Sequence, residues 1–230
     1  MPVFWASQAA AVEHWVYPMG NYGQRITVKN FGTLVDDAFY KGKEELFPFN
    51  RFYGYHAGVD LETFPEEKNK DVPVYAVSAG TIVYIGSLKG YGGVMLVRLT
   101  GENHIALYGH VKINKDPSFK VGDTVSAGQR LTYLGDEFSS ETSGERKHLH
   151  FGIYKGDDLY FHGHESSLTV LNVRWENPTE YLKQKGAVDP VMIATSRLSP
   201  TQIKLQPTPQ TSENIASQIL RFVKGLFGFK

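Results

Sequence analysis

The sequence predicts an all-β fold, a small antiparallel β-sandwich or half-open barrel with an N-terminal covering segment and a flexible C-terminal tail. Short runs rich in β-branched and aromatic residues recur between residues 53 and 175, at a spacing of roughly 8–12 residues that is typical of sandwiches and barrels. Glycine separates the runs, and no amphipathic helical pattern lies between them. The 23 Gly, 13 Tyr and 14 Phe of the chain also favour strands and tight turns.

Each predicted strand is a short apolar or β-branched run that ends at a glycine or another turn residue. In the central region the predicted strands are 74–78, 81–86, 94–100, 104–111, 129–135, 148–154 and 168–173. One more strand is predicted at 26–29, after a turn marked by Pro18, Gly20 and Gly23. The chain shows no internal repeat.

Changes in composition divide the chain into four parts. Residues 1–50 form the covering segment and residues 51–185 the central domain. Residues 186–213 hold four prolines among Ser, Thr and Gln, which predicts an extended linker. Residues 214–230 predict an amphipathic helix, because one apolar face opposes a basic one, and such a helix docks on its own domain, on a partner or on a membrane surface. The apolar face is Ile215, Ile219, Phe222 and Leu226, and the basic residues are Arg221 and Lys224.

Composition excludes several function classes. Lys and Arg number 24, as do Asp and Glu, and a net charge of zero argues against a nucleic-acid partner. The absence of Cys excludes thiol catalysis, disulfides and cysteine-ligated zinc, and it leaves the redox compartment open. The sequence contains no run of 18 apolar residues, so no transmembrane span is predicted. The first ten residues lack the basic region and apolar core of a signal peptide.

Histidine segments are the candidates for chemistry. His56 and Asp60 lie four residues apart, where Gly58 and the aromatic residues before it predict a strand that runs into a turn. Imidazole and carboxylate are ordinary zinc ligands, but this spacing alone is a weak signal.

A second segment holds His148 and His150. Strand side chains alternate, so both imidazoles share one face while Leu149, Phe151 and Ile153 share the other. A pair of surface histidines is the ordinary alternative. The third segment ends at His110, which by itself is most often a hydrogen-bonded residue at a strand end. Two histidines and one aspartate would leave the fourth tetrahedral position of a zinc ion open to water, as in catalytic sites.

The order of these segments resembles the lysostaphin-type (LytM-like) zinc metalloendopeptidases, which cut peptide cross-links in bacterial cell walls. The resemblance covers roughly residues 53–183. It is carried by His-x-x-x-Asp at 56–60, Tyr-x-His at 108–110, His-Leu-His-Phe at 148–151, Gly-Tyr-Gly-Gly at 90–93, Val-Gly-Asp-x-Val-x-Ala-Gly-Gln at 121–129 and Asn-Pro-x-x-Tyr-Leu at 177–182.

This resemblance implies a function and a site. It implies that His56, Asp60 and His150 ligate Zn²⁺, and that His110 and His148 position or activate the water and stabilise the tetrahedral intermediate. The implied activity is hydrolysis of peptide bonds in the cross-links or stem peptides of peptidoglycan. Since the wall lies outside the cytoplasm, an extracellular or periplasmic location is expected.

The sequence departs from the family in places and leaves alternatives open. Residues 145–147 are Glu-Arg-Lys, where small residues and proline are usual, and Gly152 stands where Glu is common. One alternative is a catalytically inactive member that regulates a cell-wall hydrolase, although inactive relatives lose ligands. A biotinyl or lipoyl carrier, suggested by residues 121–129, would need an acceptor Lys at a hairpin tip that this sequence lacks.

Two further expectations concern polar residues outside these motifs. His162 and His164, separated by Gly163, are expected in a solvent-exposed loop. In the covering segment, Asn21, Asp36 and Asp37 carry side chains of the type that binds zinc, and none is preferred. Whether residues 1–50 inhibit the site stays open at this stage.

Overall fold

The protein is described by a computed structural model over residues 14–48, 52–115 and 117–192. Its strands pair in antiparallel sheets, and none of the sheets in these residues closes into a barrel, so the predicted all-β class is confirmed. The strands are β1 (Leu34–Val35), β2 (Gly54–His56), β3 (Val59–Glu62), β4 (Pro73–Tyr75), β5 (Gly80–Leu88), β6 (Gly92–Leu99), β7 (His104–Gly109), β8 (Thr124–Val125), β9 (Arg130–Tyr133), β10 (His148–Lys155), β11 (His164–Glu165) and β12 (Trp175–Glu176). The helices are α1 (Tyr22–Arg25), α2 (Asp37–Tyr40), α3 (Leu168–Arg174) and α4 (Pro178–Gln184), with short 3₁₀ turns at Pro65–Glu67 and Ser140–Thr142.

The largest sheet runs in the order β12-β10-β7-β6-β5-β8, and β3 also pairs with β10. Strand β10 therefore lies between β3 and β7 at its histidine end. Its residues alternate as predicted: Leu149, Phe151 and Ile153 pack in the main hydrophobic core, on the face opposite to the histidines. Both faces of this strand are buried, because other parts of the chain cover the histidine face.

A second sheet, in the order β1-β2-β11, meets the first where β2 turns into β3. The turn is Ala57-Gly58, as the sequence predicts for a strand that runs into a turn. A Cβ on Gly58 would lie 2.5 Å from the carbonyl oxygen of Phe151, so only glycine lets the turn approach β10 this closely. The approach brings the end of β2 and the start of β3 against one end of β10.

Two predicted strands are wrong. Residues 168–173 form helix α3, because the Ser167 side chain caps its first turn by accepting from the Val170 backbone N–H at 3.2 Å. Only Leu171 of that helix is buried, which matches one helical face rather than strand alternation. Residues 26–29 follow α1 as irregular chain, and Lys29 contributes a single backbone hydrogen bond, from Asp60 N–H, instead of a ladder.

The N-terminal segment is built into the domain core over its described part. Trp15, Met19 and Tyr22 belong to the same hydrophobic cluster as Leu149. Arg25 makes two hydrogen bonds of 2.7 Å to the carboxylate of Glu67. The role of residues 1–50 as a cover stays a prediction. Most of the predicted linker and all of the predicted helix 214–230 lie outside the described residues. Within the described residues, no helix is long and apolar enough to cross a membrane.

Deleting residues 1–45 should unfold the domain. Burial of Trp15, Met19 and Tyr22 contributes about 1.5–3 kcal/mol per side chain, which together is similar to the roughly 5–15 kcal/mol that stabilises a whole domain. Circular dichroism during thermal unfolding should show no cooperative transition. Deletion of residues 1–13 alone leaves Trp15, Met19 and Tyr22 in place and is the control. A cooperative transition in the longer deletion would contradict the assignment of this segment to the core.

Candidate metal centre

Strand register brings the three predicted ligands together. Asp60 of β3 lies directly opposite His150 of β10 in the antiparallel ladder, so their side chains share a face. His56, the last residue of β2, reaches the same point across the turn. Its Nε2 lies 2.9 Å from His150 Nδ1 and 3.1 Å from Asp60 Oδ1, and His150 Nδ1 lies 3.3 Å from the same oxygen.

Asp60 is completely buried, and its two oxygens have different partners. Oδ1 faces the two imidazoles, whereas Oδ2 accepts from Lys29 Nζ at 3.0 Å and Arg146 Nη2 at 2.9 Å. Burial opposes ionisation, but nearby positive charge, above all the Lys29 ammonium, outweighs it and holds the pKa of this carboxyl well below its usual range. Asp60 is therefore a carboxylate with one oxygen free for a metal ion.

The two imidazoles also present the atoms that a metal needs. His56 Nδ1 lies 3.1 Å from the carbonyl oxygen of Asn30, so this nitrogen carries the hydrogen and Nε2 keeps its lone pair. Burial lowers the pKa of His150 to about 4, although the hydrogen bond to Asp60 opposes the shift. At neutral pH, His150 is thus uncharged and able to donate a lone pair from Nδ1.

This group fits a divalent transition-metal ion. His56, Asp60 and His150 are the one set in the described ranges whose ligand atoms converge on a common point in this way. Tetrahedral coordination with bonds of about 2.0–2.1 Å places neighbouring ligand atoms about 3.3 Å apart, close to the spacing observed here. Two nitrogens and one carboxylate oxygen suit zinc and leave a fourth position open.

His148 and His110 lie beside this group, and His148 Nε2 lies 3.4 Å from Asp60 Oδ2. On β10, His148 shares the face of His150, and its Nδ1 lies 2.9 Å from the Arg146 carbonyl oxygen. The rings of His110 and His148 are 4.4 Å apart between centroids. Burial lowers the pKa of His110 to about 3 and that of His148 well below its usual value, so both imidazoles are neutral at pH 7.

The backbone of His110 is strained. His110 directly follows the last residue of β7, and its φ angle is 63°. This left-handed conformation costs a residue with a Cβ roughly 1 kcal/mol or more. This conformation turns the chain out of the strand, and the ring lines the same cavity as His148. Among the described residues, His110 Nδ1 has no hydrogen-bond partner.

A cavity of about 310 Å³ opens beside the three converging side chains. Aromatic side chains line the cavity, together with charged groups from three parts of the chain. Its lining is Lys29, Phe52, Tyr53, Lys89, Gly90, Tyr91, His110, Glu145, His148, His150, Phe161, His162, Gly163 and His164. Burial raises the pKa of Glu145 to about 7.

The expectation of a solvent-exposed loop at 162–164 holds for His162 but is wrong for His164. His164 lies in β11 opposite His56, and its ring stacks on Phe52 with centroids 5.2 Å apart. Burial lowers the pKa of His164 to about 2. No sequence signal distinguishes the two histidines, because only the pairing of a two-residue strand with β2 separates the partly buried His164 from the exposed His162.

Sequence reasoning also missed the groups around Asp60. Lys29 and the Asn30 carbonyl come from the N-terminal segment, and Arg146 replaces the small residues usual in the family. The sequence offered one hint of charged groups near the site, because Glu145, Arg146 and Lys147 directly precede a strongly apolar strand. The structure buries all three.

The N-terminal residues considered as zinc ligands make other contacts. Asn21 donates its backbone N–H to Asp189 at 2.8 Å, and Asp36 caps α2 by accepting from Phe39 N–H. Asp37 accepts from the Tyr53 hydroxyl at 2.7 Å. None of Asn21, Asp36 and Asp37 belongs to the converging group, and Lys29 is the residue of this segment that reaches Asp60.

Comparison with known proteins gives matches at the level of sequence family, relatives and solved structures. A family model described as peptidase family M23 matches residues 54–162. The uncharacterized lipoprotein YgeR of Escherichia coli is 30% identical over 109 residues, which are 47% of this chain and 38% of that protein. A lipoprotein NlpD/LppB homolog of Pseudomonas aeruginosa is 37% identical over 82 residues, 35% of this chain and 25% of that protein. The chain thus spans well under half the length of these relatives.

Among solved structures, the catalytic domain of the antimicrobial peptidase lysostaphin from Staphylococcus simulans is 24% identical. The match covers 71% of this chain and 98% of that chain, with a TM-score of 0.46.

Replacing Arg146 by Met should destabilise the protein. The Arg146 guanidinium balances the negative charges of Asp60, at 2.9 Å, and Glu62, at 2.6 Å, in a nearly water-free environment. Removing one partner of a buried ion pair costs about 3–5 kcal/mol. Urea unfolding in the presence of a chelator measures this loss. Arg98→Met, at an exposed position, is the control and should change stability by less than about 0.5 kcal/mol. Equal stability of the two variants would rule out a net role for the buried pairs.

Proposed function

We propose that the chain is a zinc-dependent endopeptidase acting on peptidoglycan cross-links or stem peptides, and the match of residues 54–162 to the model of peptidase family M23 supports this proposal. The observation that carries the proposal is the convergence of His56, Asp60 and His150, whose ligand atoms lie within 3.3 Å of one another. The open cavity of about 310 Å³ beside them offers room for part of a peptide.

In this proposal His56 Nε2, Asp60 Oδ1 and His150 Nδ1 hold the zinc ion. Bound zinc polarises a carbonyl group and lowers the pKa of a coordinated water to about 7. Lys29 and Arg146 keep Asp60 turned so that a single oxygen faces the metal. The Asn30 carbonyl fixes the tautomer of His56.

His110 and His148 handle protons and charge in the proposed reaction. Both are neutral at pH 7 and line the cavity, so each can accept a proton or donate a hydrogen bond according to its tautomer. His148 Nδ1 lies 2.9 Å from the Arg146 carbonyl oxygen, and its Nε2 lies 3.4 Å from Asp60 Oδ2, so both of its nitrogens face an acceptor oxygen. His110 Nδ1 has no partner in the described part of the chain, so His110 has a nitrogen available to accept a proton or to donate to the developing oxyanion.

Substrate and location are part of the same proposal. Both curated relatives named above are lipoproteins by their descriptions, which supports a place in the cell envelope, and a peptidoglycan substrate requires an extracellular or periplasmic site. The alternative of an inactive regulatory member is disfavoured, because the described structure retains the ligand set and both additional histidines. Docking by residues 214–230 remains a prediction from sequence.

Metal analysis tests the first step. Purified protein should contain about one zinc ion per chain, and His150→Ala should contain none, because two ligands hold zinc far more weakly than three. Inductively coupled plasma mass spectrometry gives the ratio. His14→Ala, at an exposed position, should retain the metal. Protein without zinc even after reconstitution would refute the proposed zinc site.

Substitution of the two additional histidines tests the chemical step. His110→Asn and His148→Ala should each lower kcat by about 10²–10⁴-fold while zinc content stays at the wild-type level. Asn at position 110 is chosen because it tolerates the left-handed backbone. The assay is release of cleaved muropeptides from purified peptidoglycan, with His14→Ala as control. Full activity in both variants would exclude these histidines from the reaction.

A further inference from the structure

Two of the three proposed ligands have an outer hydrogen-bond partner, and the third has none among the described residues. His56 Nδ1 donates to the Asn30 carbonyl, and Asp60 Oδ2 accepts from Lys29 and Arg146. His150 Nε2 is buried without a partner. A neutral histidine that binds a metal through one nitrogen carries a hydrogen on the other, and this hydrogen almost always donates to an outer group. The structure therefore leaves one donor to be accounted for.

The Tyr91 hydroxyl is a second buried group that lacks a partner in the described ranges. Tyr91 lies in the turn between β5 and β6, is 8% exposed, and lines the cavity. Its ring meets the His150 ring edge to face, with centroids 5.3 Å apart. Burial raises the pKa of Tyr91 above its usual value, so the phenol is uncharged, and its oxygen can both accept and donate.

Two glycines make the slot in which Tyr91 lies against His150. Gly109 is the cross-strand partner of His150, and a Cβ there would lie 2.5 Å from Tyr91 Cδ1. A Cβ on Gly163 would lie 2.6 Å from the Tyr91 hydroxyl oxygen and 3.7 Å from His150 Cε1. The hydroxyl and His150 Cε1, the ring carbon between the two nitrogens, thus approach the same small residue, and a side chain on Gly163 would push the hydroxyl away.

We propose that the Tyr91 hydroxyl accepts the Nε2 hydrogen of His150, across at most one water molecule, and so positions this ligand in the metal-bound protein. The inference rests on the proposed zinc site. It makes Tyr91 a positioning residue, which acts through His150. It also gives Gly163 a reason to be glycine, since the residue has no left-handed backbone requirement.

The test measures zinc affinity in full-length Tyr91→Phe, which removes only the hydroxyl. Competition with a chromophoric chelator should show binding about 10- to 100-fold weaker than wild type, the usual effect of losing an outer partner. Gly163→Ala keeps the hydroxyl but displaces it, and should weaken binding in the same direction. The matched control is Tyr181→Phe. Tyr181 lies in α4 and is similarly buried, at 9% exposure, but its ring packs against Trp15.

A spectroscopic measurement separates positioning from a general loss of stability. In zinc-loaded wild type, long-range ¹H–¹⁵N spectra should show a His150 Nε2 hydrogen protected from solvent exchange, and this protection should be lost in Tyr91→Phe but kept in Tyr181→Phe. Wild-type affinity and protection in Tyr91→Phe would overturn the inference and leave the proposed function intact. Absence of zinc from the wild-type protein would overturn both.

Discussion

The pairing of β10 with β3 on one side and β7 on the other determines the position of the whole site. Antiparallel register places Asp60 opposite His150, and strand alternation puts His148 on the same face two residues away. The end of β7 delivers His110, and the tight turn at Gly58 folds β2 back so that His56 reaches the group. A slip of β3 by one residue along β10 would turn the Asp60 side chain to the core face of the sheet, away from His150. The ligand geometry is therefore a property of the sheet and not of flexible loops.

This geometry places a carboxylate where water cannot reach it, and the surrounding chain compensates for its charge. Lys29 and Arg146 both bind Asp60 Oδ2, and each is itself nearly buried. Such an arrangement is favourable only when every charged group keeps its partners. Lys29 belongs to the N-terminal segment, whose Asn30 carbonyl also orients His56. That segment therefore contributes to the outer shell of two of the proposed ligands, although it precedes the matched family region of residues 54–162.

The sequence predicted what depends on local periodicity and on motif order. Alternation placed His148 and His150 on one face, the glycine after His56 indicated a turn, and the motifs indicated the family whose model matches residues 54–162. It could not predict contacts that depend on tertiary packing between distant segments. Lys29 approaches Asp60 from irregular chain, and His164 is partly buried because a two-residue strand pairs with β2. Residues 168–173 became helical because Ser167 caps the first turn, which outweighed their β propensity.

Several departures from local rules lie together in this region of the described structure. His110 adopts a left-handed backbone, Asp60 is a fully buried carboxylate, and the buried polar atoms of Tyr91 and His150 lack partners. Each of these features costs free energy, and the apolar core on the opposite face of β10 offsets that cost. Core packing alone would favour replacing such groups by apolar side chains. Their presence together around one cavity is the pattern expected where a sequence sacrifices stability for chemistry.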